Sequence, residues 1–200
     1  MSSNKRSVQV TVAALALLLF VSVPSVGQAE RRDIVPAAAR EVPKVDIDNF
    51  GRVNSHYFRG AEPEDDQYAK LAELGVKTVI DLRSDDFDKE DRFLVERAGM
   101  KYVQIPMTTH EPPTRAVIEH FLRIVDDPEN QPVYVHCVGG RHRTGVMTAV
   151  YRLTRDGWTA DQAFKEMKHY KFGADFLHPE FKKFVYAYQP DPRLVAKIAE

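Results

Sequence analysis

The stretch HCVGGRHRTG, residues 136–145, decides how the rest of the sequence is interpreted. It overlaps the end of the apolar run PVYVHC (132–137), which has the length and composition of a buried β-strand. It leads into residues 144–155, whose apolar side chains recur at helical spacing. Two adjacent glycines, Gly139 and Gly140, lie between these segments and allow the backbone to turn sharply. The stretch is therefore predicted to contain a loop between a strand and the N-terminus of a helix.

The rest of the sequence alternates between strand-like and helix-like segments. Further strands are predicted at residues 56–60, 76–83 and 100–107, and further helices at 63–75, 88–99, 113–127, 159–170 and 179–188. Strands that alternate with helices of this length are typical of an α/β fold with a mainly parallel central sheet flanked by helices. Such folds bind ligands at the carboxyl ends of their strands, where the glycine-containing loop would lie.

The composition indicates an ordinary globular protein. The chain has 200 residues, of which 44% are hydrophobic and 28% are charged, and its formal net charge is −1. The near-zero charge gives no reason to expect nucleic-acid binding, so any recognition of anions must be local. One main domain is predicted at residues 52–190, after a linker or surface arm at 30–51 and before a C-terminal tail at 191–200. No feature of the sequence indicates an oligomeric state.

The first 29 residues have the plan of a signal peptide. Lys5 and Arg6 precede an apolar run at residues 8–23, which is shorter than the ~20 residues of a membrane-spanning helix. Gly27 and Ala29 are small residues at the positions that precede a cleavage site. We therefore expect an exported protein, periplasmic or secreted, that is not inserted in a membrane after cleavage. An uncleaved membrane anchor is the alternative.

Cys137 is the only cysteine of the chain. Exported proteins usually hold cysteines in disulfide pairs, so an unpaired one needs another explanation. A buried structural thiol is one such explanation. Arg141, Arg143 and the positive end of the following helix favour another, because they would stabilise a thiolate and bind an oxyanion beside it. The loop is therefore predicted to hold an anion next to a nucleophilic sulfur.

The same residues carry a resemblance to a known family. HCVGGRHRTG resembles the HCxxxxxR[ST]G signature of the cysteine-dependent protein tyrosine phosphatases at every fixed position. The segments YFRGAEP, VIDLR and IPM are similar to those of its compact dual-specificity branch, and the resemblance covers residues 52–188. It implies a dual-specificity phosphatase-like α/β fold for the domain at 52–190, hydrolysis of phosphate monoesters, and no metal or organic cofactor.

The resemblance also implies roles for individual residues. Cys137 would attack phosphorus to form a phosphocysteine, Arg143 would hold two phosphate oxygens, and Thr144 would donate its hydroxyl to the leaving sulfur. His136 would support the loop by hydrogen bonding to its backbone. The phosphate-binding backbone N–H groups would come from Val138, Gly139, Gly140, Arg141 and His142. For the side chains of Arg141 and His142, substrate contact and surface exposure both remain open.

The general acid is not fixed by the resemblance. The family places an aspartate on the loop between the third strand and the next helix, and here that loop reads PMTTHEPPT, without an aspartate. Glu111 is the first candidate because it is the only carboxylate in this loop. His110 is the second candidate. Asp85 or Asp86, which follow the strand VIDLR, are the third.

Several functions are compatible with these residues. A protein tyrosine or dual-specificity phosphatase acting on phosphorylated proteins or peptides is the first expectation. An inositol phosphate or phosphoinositide phosphatase is the alternative, since an extra arginine at Arg141 suits a substrate with several phosphates. From other classes, a catalytically inactive phosphate-binding module would keep the loop without the chemistry. A rhodanese-like sulfurtransferase is disfavoured by Arg143 and the Thr-Gly that follows it.

Overall fold

The computed structural model describes residues 45–84 and 89–195, and in these residues five strands and seven helices follow one another. The strands are β1 (Gly51–Arg52), β2 (Tyr57–Ala61), β3 (Thr78–Arg83), β4 (Lys101–Met107) and β5 (Val133–Cys137). The helices are α1 (Gln67–Glu73), α2 (Lys89–Arg97), α3 (Arg115–Asp126), α4 (Arg143–Arg155), α5 (Ala160–His169), α6 (Pro179–Ala187) and α7 (Pro192–Val195).

The strands form one sheet in the order β1-β2-β5-β3-β4. The pairs β2–β5, β5–β3 and β3–β4 are parallel, and β1 pairs antiparallel with β2 at the edge. β5 lies at the centre of the sheet and all five of its residues are buried. A parallel strand covered on both faces needs no alternation of apolar and polar residues, which explains the continuous run VYVHC. The predicted α/β fold with a mainly parallel sheet flanked by helices is confirmed.

Helices cover both faces of the sheet, each over its own apolar core. On one face Val133 and Val135 of β5 pack with residues of α3, α4, α5 and α6. On the other face Tyr134, the residue between them, packs with residues of α1 and α2. Cys137 belongs to the first of these cores. Its side chain therefore lies on the α4 face, where the next helix begins.

The predicted strands and helices are present, with ends displaced by a few residues. The helix predicted from Thr159 begins one residue later because Thr159 is its N-cap: its hydroxyl accepts from the N–H of Gln162, whose side chain accepts from the N–H of Thr159. β1 and α7 were not predicted, because segments of two and four residues are too short to show a period. The predicted C-terminal tail therefore contains a short helix.

The end of the predicted linker or surface arm packs onto the domain. Ile47 is buried in the core that α1 and α2 cover. The side chain of Gln67 donates to the carbonyl of Asp46 at 2.7 Å, and the N–H of Ala61 donates to the carbonyl of Asp48 at 2.8 Å. The folded part thus begins before residue 52. The rest of the arm and the predicted signal peptide lie outside the described residues; no helix in the described part is long and apolar enough to span a bilayer.

Candidate active site

The cysteine lies at the carboxyl end of the central strand. Cys137 is the last residue of β5 and pairs in register with Ala61 of β2. It is a free cysteine, and only 4% of its surface is exposed. Because Cys137 ends a buried strand that is paired on both sides, the hydrogen bonds of the sheet fix the position of its backbone.

Residues 138–142, called here the 138–142 loop, have three successive carbonyls bound from outside. The N–H of Glu62 donates to the carbonyl of Val138 at 3.1 Å. The side-chain amide of Asn49 donates to the carbonyl of Gly139 at 2.6 Å, and Nη2 of Arg59 donates to the carbonyl of Gly140 at 2.5 Å.

These bonds turn the loop carbonyls outward and leave the opposite side of the backbone to its N–H groups. Among the described residues, no group accepts a hydrogen bond from the backbone N–H groups of residues 138–142. Helix α4 begins directly after the loop at Arg143, with His142 as its N-cap, and adds the positive end of its dipole. Several N–H donors and a helix N-terminus at one place form a binding site for a tetrahedral oxyanion.

Arg143 connects the loop to a second part of the site. The residue is buried, and its Nη1 donates to the carbonyl of Met107 at 3.2 Å. Met107 ends β4, and the hydroxyl of Ser84 donates to the same carbonyl at 3.0 Å. The guanidinium that would bind phosphate is thus anchored where the loop carrying Glu111 begins.

Thr144 and His136 are close to Cys137 in the sequence, and both are fully buried. The hydroxyl of Thr144 has no hydrogen-bond partner among the described residues. Neither ring nitrogen of His136 has a partner at hydrogen-bond geometry among the described residues, but the backbone of Cys137 is near enough to raise the pKa of the ring. The ring stacks on Tyr134, with centroids 5.9 Å apart, and the support of the loop by His136 stays a prediction. Burial lowers the pKa of His136 to about 4, which keeps the ring neutral at neutral pH.

The side chains of Arg141 and His142, whose roles the sequence left undecided, differ in their surroundings. The side chain of Arg141 is exposed, at the rim of the loop. The His142 ring is half-buried, its Nε2 lies 2.9 Å from the carbonyl oxygen of Phe172, and burial lowers its pKa. The exposure of Arg141 is compatible with both substrate contact and a surface position, whereas His142 is held by the chain that leads to α6.

Arg59 is a site residue that the sequence interpretation missed. It is fully buried on β2, its guanidinium lies 4.0 Å from the ring centre of Tyr170, and only its bond to Gly140 ties it to the loop. Its Nε and Nη1 have no partner among the described residues, and burial lowers its pKa. An arginine inside the strand segment YFRG was the available signal, because arginine is rarely fully buried without a reason.

The structure shows the surroundings of two of the candidates for the general acid, Glu111 and His110. Glu111 is exposed, and its N–H donates to the hydroxyl of Thr108 at 3.1 Å within a local turn. His110, also exposed, stacks on His178 with ring centroids 5.7 Å apart. Asp85 and Asp86 lie outside the described residues. Both side chains thus lie at the surface, His110 against the ring of His178 and the Glu111 carboxylate 3.5 Å from the hydroxyl of Thr108.

One group of side chains in the described part of the chain has the composition of a metal site. His110, His178 and Glu180 can each offer a ligand atom within 4.8 Å of the others. The group lies outside the 138–142 loop.

Comparisons with known proteins agree with this geometry. Residues 42–183 match the family model described as "DSP-PTPase phosphatase fused to NAD+ Kinase". A "probable tyrosine-protein phosphatase DG1060" of Dictyostelium discoideum is 29% identical over 126 residues, which are 61% of this chain and 75% of that protein. The inositol diphosphatase DSP2 of rice is 30% identical over 142 residues, 68% of this chain and 67% of that protein.

A solved structure extends the comparison to three dimensions. The dual specificity protein phosphatase TpbA of Pseudomonas aeruginosa is 30% identical over 125 residues, 62% of this chain and 56% of that protein. Its crystal structure matches with a TM-score of 0.63 at 29% identity, covering 76% of this chain and 91% of that chain. With the family match over residues 42–183 and the signature around Cys137, this chain belongs to the dual-specificity branch of the cysteine-dependent protein tyrosine phosphatases.

Proposed function

We propose that this protein hydrolyses phosphate monoesters on tyrosine and on serine or threonine of proteins or peptides, through a phosphocysteine on Cys137. The observation that carries the proposal is the 138–142 loop, whose carbonyls are bound from outside while its N–H groups have no acceptor among the described residues. A dianionic phosphate placed there has donors for its oxygens, and Cys137 directly precedes the loop that binds it.

The first chemical step transfers the phosphoryl group to sulfur. The thiolate of Cys137 attacks phosphorus, the S–P bond forms and the bond to the ester oxygen breaks. The loop N–H groups and Arg143 bind the three oxygens that carry the spreading charge. The leaving oxygen takes a proton from a general acid, for which we propose Glu111 because it is the carboxylate on the loop that follows Met107, to which Arg143 is anchored.

The second step returns the free enzyme. Water attacks phosphorus, its proton passes to the carboxylate of Glu111, and the S–P bond breaks to release inorganic phosphate and the thiolate of Cys137. The hydroxyl of Thr144 donates a hydrogen bond to the departing thiolate and keeps its proton. The buried hydroxyl of Thr144 has no competing partner among the described residues, which supports this role.

A second candidate substrate is an inositol phosphate or phosphoinositide. Two observations favour it: the rice relative is named an inositol diphosphatase, and Arg141 presents an exposed guanidinium at the rim of the loop. A planar guanidinium beside the reacting phosphate suits a ligand that carries further phosphates.

We also propose that the protein is exported and works in the periplasm or outside the cell. The basic Lys5 and Arg6, the apolar run at residues 8–23 and the small residues before position 30 support this. Detection of a mature N-terminus at Glu30 in an extracytoplasmic fraction would establish it, and an intact N-terminus on a membrane-bound product would favour the anchor.

Phosphate release by residues 30–200 tests the proposed activity. The substrates are a phosphotyrosine peptide, a phosphothreonine peptide, inositol hexakisphosphate and a pyrophosphorylated inositol phosphate, each measured beside Cys137→Ser. We expect turnover of the peptides that the variant lacks. Preference for the inositol compounds would assign Arg141 to substrate binding. Binding of phosphate without turnover in the unmodified protein would support an inactive phosphate-binding module.

A further inference from the structure

Two histidines and a glutamate converge beside the loop, and the proposed mechanism, with Glu111 as the general acid, uses none of them. His178 precedes α6, and Glu180 lies in the first turn of that helix. Nδ1 of His178 is 3.2 Å from Oε1 of Glu180. His110, from the loop after β4, stacks on the His178 ring, and one donor atom from each of the three lies within 4.8 Å of the others.

This donor set fits zinc. Imidazole nitrogen and carboxylate oxygen are ligands that Zn²⁺ prefers, and a site with two histidines and one glutamate leaves a fourth position for water. Bonds of 2.0–2.1 Å in a tetrahedron place neighbouring ligand atoms about 3.3 Å apart. His178 and Glu180 already have this spacing at 3.2 Å. His110 is exposed on a loop, so a small movement of its side chain would complete the site.

The cluster touches the catalytic loops on both sides. The His178 ring lies 3.8 Å, centroid to centroid, from the ring of His142 in the 138–142 loop. His110 is the neighbour in sequence of Glu111. A metal ion bound by His110, His178 and Glu180 would therefore connect the loop that carries the proposed general acid to the start of α6.

We propose that His110, His178 and Glu180 bind one Zn²⁺ ion, and that the bound ion slows phosphatase turnover by holding the Glu111 loop against α6. The metal site is independent of the proposed activity. The effect on turnover rests on it, because only an enzyme that uses Glu111 would be slowed in this way.

Calorimetric titration with zinc chloride tests the site. The protein carries Cys137→Ser in every titration, so that the thiol cannot bind zinc. We expect one ion per chain, and we expect His178→Ala and Glu180→Gln each to weaken the Kd by at least about tenfold. His120→Gln, an exposed histidine on α3, is the matched control and should leave the Kd unchanged. Absence of binding, or equal binding in all variants, would overturn the proposal.

Turnover tests the regulatory part. In the protein with Cys137 intact, zinc should lower kcat, a chelator should restore it, and Glu180→Gln should need at least about tenfold more zinc for the same inhibition. Equal inhibition of Glu180→Gln and the unmodified protein would assign the effect to the thiol and refute the regulatory part. If the protein hydrolyses none of the phosphate esters, the proposed function fails, while calorimetry still decides the metal site.

Discussion

At the scale of single residues, Arg59 supports the phosphate-binding loop but lowers the stability of the fold. A fully buried guanidinium, two of whose nitrogens have no partner in the described part of the chain, is unfavourable for folding, because desolvation of the charge is only partly offset by one carbonyl and one aromatic ring. Its bond to the carbonyl of Gly140 nevertheless helps to set the direction of the neighbouring loop N–H groups. Arg59 is therefore a positioning residue, which acts on phosphate through the loop.

Replacing Arg59 should separate activity from stability. Arg59→Met removes the donor to Gly140, and we expect kcat/KM to fall by about 10- to 100-fold, as for loss of a charged hydrogen bond of about 1.5–3 kcal/mol. Because the buried charge also disappears, Tm should stay the same or rise. Arg59→Lys keeps the charge and should retain more activity than Arg59→Met. If Arg59→Met lowered Tm as well as kcat/KM, the loss of activity would follow from the loss of stability, and Arg59 would be only a structural residue.

Glu111 can be tested through the leaving group. If Glu111 is the general acid, Glu111→Gln should lower kcat on a phosphothreonine peptide by about 100-fold or more, because an alkoxide leaves poorly without a proton. On p-nitrophenyl phosphate, whose leaving group needs no proton, the same variant should change kcat little. Glu129→Gln, an exposed glutamate outside the loop, is the control. Equal effects on both substrates would exclude Glu111 as the acid.

At the scale of elements, the unit formed by β5, the 138–142 loop and α4 depends on close contact with β2. Gly140 has φ +63°, and a Cβ on it would lie 2.4 Å from the carbonyl carbon of Gly60 and 2.5 Å from the nitrogen of Ala61. These neighbours are backbone atoms of a central region of the sheet, which cannot move aside. The loop therefore has its shape because glycine allows the backbones to meet.

Alanine at the two loop glycines should have different effects. Gly140→Ala combines a left-handed backbone with a clash, and we expect it to lower the free energy of unfolding by about 1–3 kcal/mol or more. At Gly139 a Cβ would meet only the Arg141 side chain, at 3.5 Å or beyond, so Gly139→Ala should lower it far less. Urea denaturation of both variants measures the difference. Similar values would mean that β2 does not constrain the loop.

The elements were predictable from sequence to the extent that their signals are local. The periodic runs gave the four longer strands and six of the seven helices of the described residues, and the signature placed Cys137 between β5 and α4. The groups that hold the loop were not predictable in this way. Arg59 is 81 residues from Gly140 and Asn49 is 90 residues from Gly139, so their contacts depend on the strand order of the folded sheet.

At the scale of the whole molecule, burial of charged and titratable groups under the catalytic strand links stability to pH. His136 is completely buried on β5, at the same level as Asp81 of the neighbouring β3. Burial is the largest influence on its pKa and lowers it; Asp81 and Asp91 raise it, and Arg83 lowers it. The sheet therefore encloses a histidine that is neutral at neutral pH and that binds a proton less readily in the folded protein than in the unfolded chain.

The resulting prediction concerns stability in mild acid. With a pKa of about 4 in the folded protein and 6.5 in the unfolded chain, His136 binds its proton only in the unfolded state between these values. The unfolded state then binds more protons, so the free energy of unfolding decreases as pH falls, by about 2 kcal/mol from pH ~7 to pH ~5. The lowered pKa of Asp81 places its own contribution below this window.

Urea denaturation at both pH values should show that His136→Gln has a smaller decrease, whereas His120→Gln, at an exposed position, keeps the full decrease. An equal decrease in His136→Gln and the unmodified protein would mean that His136 does not contribute, and that the acid sensitivity arises from other titratable groups.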